Sequence, residues 1–374
     1  MEQGGTVKSE NDKDTVITNK NTDIASSNTV TIEANGKDDK VEVTLDNVNI
    51  KADSGSALIS KGDVTLTLKG DNHLTGGISD NGSYGLSGIS SSGSLTISGG
   101  ETDSLTAQGG SGTDGSGGSG ITSLGSLTIS GGTVNAAGGD GTNSSDGGDG
   151  ITNNRGVTIS SGGTVTAKGG SGEDGSGGRG ISSFGGVTIS SGGTVTATGG
   201  NSTGSDGSGG DGISSTSTTI SGGTVTADGG SGNFSGGNGI RSFDVAISGG
   251  TVNVAGGNGG NGSGSDVGNG IYSSDIDLSG SLELTAKAGS PNGKALSQRG
   301  NELDLDDIKD KLGPGAKVTA INANGDSKQV SIPRPVEPEE PVIPGDSSSS
   351  SGGGSADASV QESVFPGLVV TDKD

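Results

Sequence analysis

The chain of 374 residues has no cysteine, no tryptophan, one methionine and one histidine. Without cysteine there is neither a disulfide framework nor a thiolate metal site. Aromatic residues make up 2% and hydrophobic residues 25% of the chain, too little apolar bulk for one broad globular core. No apolar run approaches the roughly 18 residues of a membrane span, so no membrane insertion is expected. Positive charge is scarce: 21 Lys and Arg stand against 44 Asp and Glu, for a net charge of -23. That balance argues against nucleic-acid phosphate and anionic membrane surfaces as partners, and for cations or basic partners. The opening residues Met1-Glu2-Gln3-Gly4-Gly5 carry no secretory h-region. The expectation is an extracellular or cell-surface protein whose signal peptide has been removed.

What the chain has in excess is glycine, 81 residues, and a repeat. A Gly-Ile pair recurs with its isoleucine at Ile89, Ile121, Ile151, Ile181, Ile213, Ile240 and Ile271, at intervals of 32, 30, 30, 32, 27 and 31 residues. A period of this length signifies stacked units that bury only a thin stripe against their neighbours. It overturns the disorder that composition alone suggests.

Each repeat reads as three short strands. After the Gly-Ile strand come Leu95, Leu127, Val157 and Val187, and two residues on Ile97, Ile129, Ile159 and Ile189, with Thr between. This is the period-2 alternation of a half-buried strand. A Ser-Gly-Gly turn follows. Then comes TVTA, with Val165 and Ala167, Val195 and Ala197, Val225 and Ala227 facing one way. Gly-Gly ends this strand, read as a place where positive φ is needed. A flexible Gly/Ser/Asp loop such as Gly109 to Gly120 closes the coil. Nothing in the repeat has helical periodicity.

The fold expected is therefore all-β: a parallel β-helix, right-handed by the usual crossover preference. Ala57-Leu58 and Ala295-Leu296 stand in for the Gly-Ile pair at either end. About nine or ten coils at roughly 4.8 Å make a rod on the order of 45 Å long. The expected division is a flexible N-terminus over 1–14, the β-helix over 15–300, a C-terminal cap over 301–332 and a Pro/Glu/Ser/Gly-rich disordered tail over 333–374. Within the cap, Asn301 is read as the N-cap of a short helix with Leu305, Ile308 and Leu312 on one face. Two strands follow around Asn324-Gly325.

The loops carry the candidate metal ligands. Seven residues before the anchor isoleucine stand Asp114, Asp174, Asp206 and Asn233. The loop before Ile151 carries Asp146 and Asp149, and Asp211 precedes Ile213 by two residues, with Asn238 and Asn269 at the same offset. Loops stacked in register bring carboxylates together, and Ca²⁺ relieves their repulsion with oxygen ligands. GGSGTD (109–114) and GGSGED (169–174) match the start of a Gly-Gly-x-Gly-x-Asp calcium repeat, but Ser116 and Ser176 replace its apolar residue. Asp and Gly also make solvated turns, and both readings stand. His73 is read as structural, having no partner in sequence. Arg155, Lys168, Arg179 and Arg241 occupy different offsets, so no convergent basic site is expected. Leu124, Phe184 and Phe243 share the third position after the anchor, and corner packing is preferred there to sugar stacking. No catalytic constellation emerges, and the chain is expected not to be an enzyme.

The stretches VEVTLDNVNIKADSGSALISKGDVTLTLKGDNHLTGG and GGSGITSLGSLTISGGTVNAAGG are similar to the coils of clostridial-type, calcium-dependent, carbohydrate-binding parallel β-helix proteins of bacteria. The resemblance covers about residues 28–290. It implies an exported surface protein that binds Ca²⁺ and an acidic polysaccharide such as polygalacturonate, without carrying individual ligands across. The leading expectation is a non-catalytic, monomeric carbohydrate-binding β-helix. A structural or adhesive surface rod and a polysaccharide lyase or hydrolase on the same scaffold are the alternatives.

Overall fold

The computed structural model describes residues 5–8, 15–21, 23–34, 39–190, 192–260 and 268–335. The described coils belong to one compact unit that ends at Arg334. The expected tail over 333–374 lies outside the described residues, except for 333–335.

Parallel strands stack coil upon coil into a β-solenoid of about 10 turns. The anchor column runs Val30, Leu58, Ile89, Ile121, Ile151, Ile181, Ile213, Ile240, Ile271 and Leu296, each paired in parallel with the next. A second column stacks Leu95, Leu127, Val157 and Val187, with Ile97, Ile129, Ile159 and Ile189 beside it. A third stacks Val134, Val165, Val195 and Val225 beside Ala136, Ala167, Ala197 and Ala227. All of these side chains are buried, and each large one contributes about 1.5–3 kcal/mol relative to exposure. The alternation follows directly from strand geometry: Thr and Ser between the apolar residues point outward.

A further inner column is polar. Ser60, Ser91, Ser123, Asn153, Ser183, Ser242 and Ser273 are buried two residues after successive anchors. Some bond one another across coils, as where Ser60 Oγ donates to Ser91 Oγ at 2.8 Å and Ser215 and Ser242 share a bond of 2.8 Å, while Ser123 and Ser273 donate to backbone carbonyls. The corner beyond this column changes length along the stack. Val187 follows Ile181 by six residues and Thr218 follows Ile213 by five, which the pairing absorbs as a bulge between Ser183 and Gly186.

Glycine closes the coils by a different means from the one expected. The glycines that end the third strand, such as Gly139 and Gly170, do not have positive φ; those of the Ser-Gly-Gly turns, such as Gly162 and Gly192, do. The former are needed for close approach. A Cβ on Gly178 would lie 1.9 Å from the carbonyl oxygen of Gly148 in the preceding coil. Backbone N–H groups link the two arms of each loop to the next coil: Gly139 to Gly118 O, Gly148 to Gly139 O, Gly170 to Gly148 O and Gly178 to Gly170 O, each 2.8 Å. The loops are thus backbone-bonded layers of the stack, which corrects their reading as flexible entries to the strands.

Both ends depart from expectation. Gly5–Lys8, placed in the flexible segment 1–14, is a strand paired in parallel with Val30–Glu33, and the rest of that segment lies outside the described residues. The helix expected from Asn301 is absent, leaving only a 3₁₀ turn at Lys309–Lys311. Asn301–Glu302 instead folds back antiparallel to Leu296–Gln298. The Glu302 carboxylate accepts the N–H groups of Leu296 and Ala295 at 2.9 and 3.1 Å. The exposed edge of the last coil takes these residues because unpaired strand N–H groups are the greater liability. Leu305, Ile308 and Leu312 are nonetheless buried against the stack. Lys317–Ile321 extends the third sheet and Ser327–Ser331 pairs antiparallel to it.

Candidate functional site

A surface groove of about 630 Å³ runs across the loops. It crosses five consecutive loops, from Gly117 to Arg241. Its floor is the outer arm of the glycine layers, the pairs Gly147-Gly148, Gly177-Gly178, Gly209-Gly210 and Gly236-Gly237. Because those backbones are bonded coil to coil, the floor is rigid and bare of side chains. Asp146, Asp149, Asp211, Arg179, Arg241 and Phe234 line it.

Two of the expected metal ligands prove to be rungs of a polar ladder at the position two residues before the anchor. Asp149 Oδ1 accepts the N–H of Arg179 at 2.7 Å, while Oδ2 accepts from Thr152 Oγ1 at 3.0 Å. Asp211 Oδ1 accepts the N–H and Nδ2 of Asn238, and Asn238 Oδ1 in turn accepts the N–H and Nδ2 of Asn269. Asn269 Oδ1 accepts the N–H of Lys294 at 2.8 Å. Arg179 Nε lies 3.9 Å from Asp211 Oδ2. Burial pushes the Asp149 carboxyl above the ordinary carboxylate range, against the opposing pull of the Arg179 N–H and charge.

The other expected ligands are exposed, and of them Asp146 alone lines the groove. Asp114 Oδ1 accepts from Asn143 Nδ2 at 2.5 Å, Asp146 Oδ1 from the N–H of Ser176 at 2.7 Å, and Asn233 Nδ2 donates to Thr203 O at 2.8 Å. Asp174 and Asp206 are exposed. Among the described residues no three Asp, Glu, His or Cys side chains gather as a metal site.

No family model, curated protein or solved structure matches this chain. Its functional reading rests on its own residues.

Two features escaped the sequence. Arg179 and Arg241 stand at different offsets, two residues before and one after the anchor, yet both line the groove. Phe234, half exposed, stands at the same groove. Leu124, Phe184 and Phe243 do not pack into a corner: they are 49%, 75% and 64% exposed. His73 points outward from the strand Asp71–Thr75.

Proposed function

We propose that this chain is a non-catalytic, extracellular carbohydrate-binding β-solenoid whose groove takes an acidic polysaccharide such as polygalacturonate. The groove over five loops is the observation that carries this reading. Its length suits a chain rather than a single sugar. Its rigid floor costs little ordering on binding. Arg179 and Arg241 supply planar donors for carboxylates, and Phe234 an apolar face. Asp149 and Asp211 are spent on backbone N–H groups, which suits supports better than an acid and base. Ca²⁺ enters the proposal as a bridge, drawing oxygens from the glycan as well as from exposed carboxylates such as Asp146.

Calorimetric titration with polygalacturonate, with and without Ca²⁺, tests it. Binding heat that Ca²⁺ strengthens is expected; no heat in either condition overturns it. The backbone-bonded glycine layers also favour a second reading, a stiff surface spacer. Negative glycan titrations with positive cell adhesion would select that reading.

A further inference from the structure

The corner three residues after the anchor carries a second surface, beyond the anchor strand from the groove. Successive coils place there Ser92, Leu124, Asn154, Phe184, Thr216, Phe243 and Ser274. Serine, asparagine and threonine fill the position without penalty to the stack, so packing does not require an apolar residue. Yet every second coil from Leu124 to Phe243 has one, and Phe184 and Phe243 stand 75% and 64% exposed. The alternation leaves a polar side chain between the apolar ones, unlike the contiguous apolar centre of a protein interface.

The backbone beneath the rings is fixed. Thr216 Oγ1 donates to the carbonyl of Phe184 at 2.6 Å, and Ser273 Oγ to that of Phe243 at 2.9 Å. Ser183 pairs with Ser215 and Ser215 with Ser242 just before these corners, and the bulge after Ser183 falls at Phe184. The strands that carry the two rings lie two spacings apart, about 9.6 Å. That distance is close to the two-sugar repeat of an extended β-1,4-linked chain, in which every second sugar turns the same face to one side. The C–H face of a pyranose is apolar and stacks on an aromatic ring. Near the corner Arg155 and Arg299 stand against Asp244 and Asp275, with no excess of positive charge to select a polyanion.

We infer that Leu124, Phe184 and Phe243 form a stacking track for a neutral β-1,4-linked glycan, separate from the groove. The test compares cellohexaose with maltohexaose, which share sugar and length and differ in linkage. The native chain should bind cellohexaose and not maltohexaose. Phe184→Ala with Phe243→Ala should weaken cellohexaose binding at least about tenfold while leaving the melting temperature unchanged. Phe184→Tyr with Phe243→Tyr should retain it. Polygalacturonate titration of the alanine variant should match the native chain, so this inference and the groove reading fail separately. Equal binding of the two glucans, no binding of cellohexaose, or an unaffected alanine variant overturns the inference.

Discussion

Asp211 Oδ1 accepts two hydrogen bonds from one residue of the next coil, the N–H of Asn238 at 2.7 Å and its Nδ2 at 2.9 Å. Asn238 repeats the arrangement on Asn269. Asp211 is thus interchangeable with asparagine in this ladder but not with a residue lacking the oxygen. Asp211→Asn should leave stability nearly unchanged. Asp211→Ala leaves two buried donors unpaired and should cost about 1–3 kcal/mol, read as a fall in the urea midpoint.

Asp149 is the pH-sensitive rung. Burial holds its proton to higher pH in the folded chain than in the unfolded one, so folding is linked to proton uptake. The penalty for its charge is complete above the folded pKa and fades as pH falls through that value towards the ordinary carboxylate range. Asp149→Asn keeps an acceptor for the Arg179 N–H and removes the partly desolvated charge. The variant should be more stable than the native chain at pH 7, and the difference should vanish at about pH 3, below the ordinary aspartate value. Thermal melts at both pH values check the sign.

Two glycines separate the two uses of glycine in the repeat. Gly162 has φ of +83° and nothing within 4 Å of an added Cβ. Gly162→Ala should cost about 1–2 kcal/mol, the left-handed backbone alone. Gly178→Ala drives its methyl against the Gly148 carbonyl and should cost more than about 3 kcal/mol, or block folding of those coils. Denaturant midpoints of the pair, with Ser161→Ala as a neutral reference, give the ranking.

Asn72 is fully buried in a column that is otherwise Val and Leu. Its Oδ1 accepts the N–H of Val48 at 2.9 Å and its Nδ2 donates to Ser104 O at 3.1 Å. It pairs the backbone where the first coils turn between two strands. Asn72→Leu matches the column yet orphans the Val48 N–H, so a loss of about 1–3 kcal/mol is expected in equilibrium unfolding.

In the groove, Arg179→Ala and Arg241→Ala should each weaken polygalacturonate binding about tenfold, the scale of one charge-assisted hydrogen bond. Titration of each variant, with its melting temperature as the control for folding, tests both. An unchanged affinity in both variants would remove the arginines from recognition.

The interval between Gly-Ile pairs carried the fold. A residue repeated every coil must stack on its own copy, and period-2 alternation decides which side faces in, so Ile151 on Ile181 and Val165 on Val195 were legible from text. Contacts between residues at unequal offsets were not. Arg179 and Arg241, two residues before and one after their anchors, line one groove that exists only once the loops are stacked. The helix read at Asn301 failed because helical spacing of Leu305, Ile308 and Leu312 is local, whereas Glu302 answers a distant need, the open N–H groups of Leu296 and Ala295.

Among the loop aspartates, the shared offset of Asp211, Asn238 and Asn269 was visible, but not that these side chains accept backbone N–H groups of the next coil. Nor did the text reveal why glycine dominates the loops. Composition and period alone determine a stack of parallel coils with a thin apolar core, since each strand's partners are copies of itself. Tertiary structure alone decided that Gly148 and Gly178 meet without room for a Cβ, that Asp149 is half-buried, and that Phe184 and Phe243 face solvent. Those outcomes depend on where backbone and side chains meet across coils, a distance that one coil's sequence does not contain.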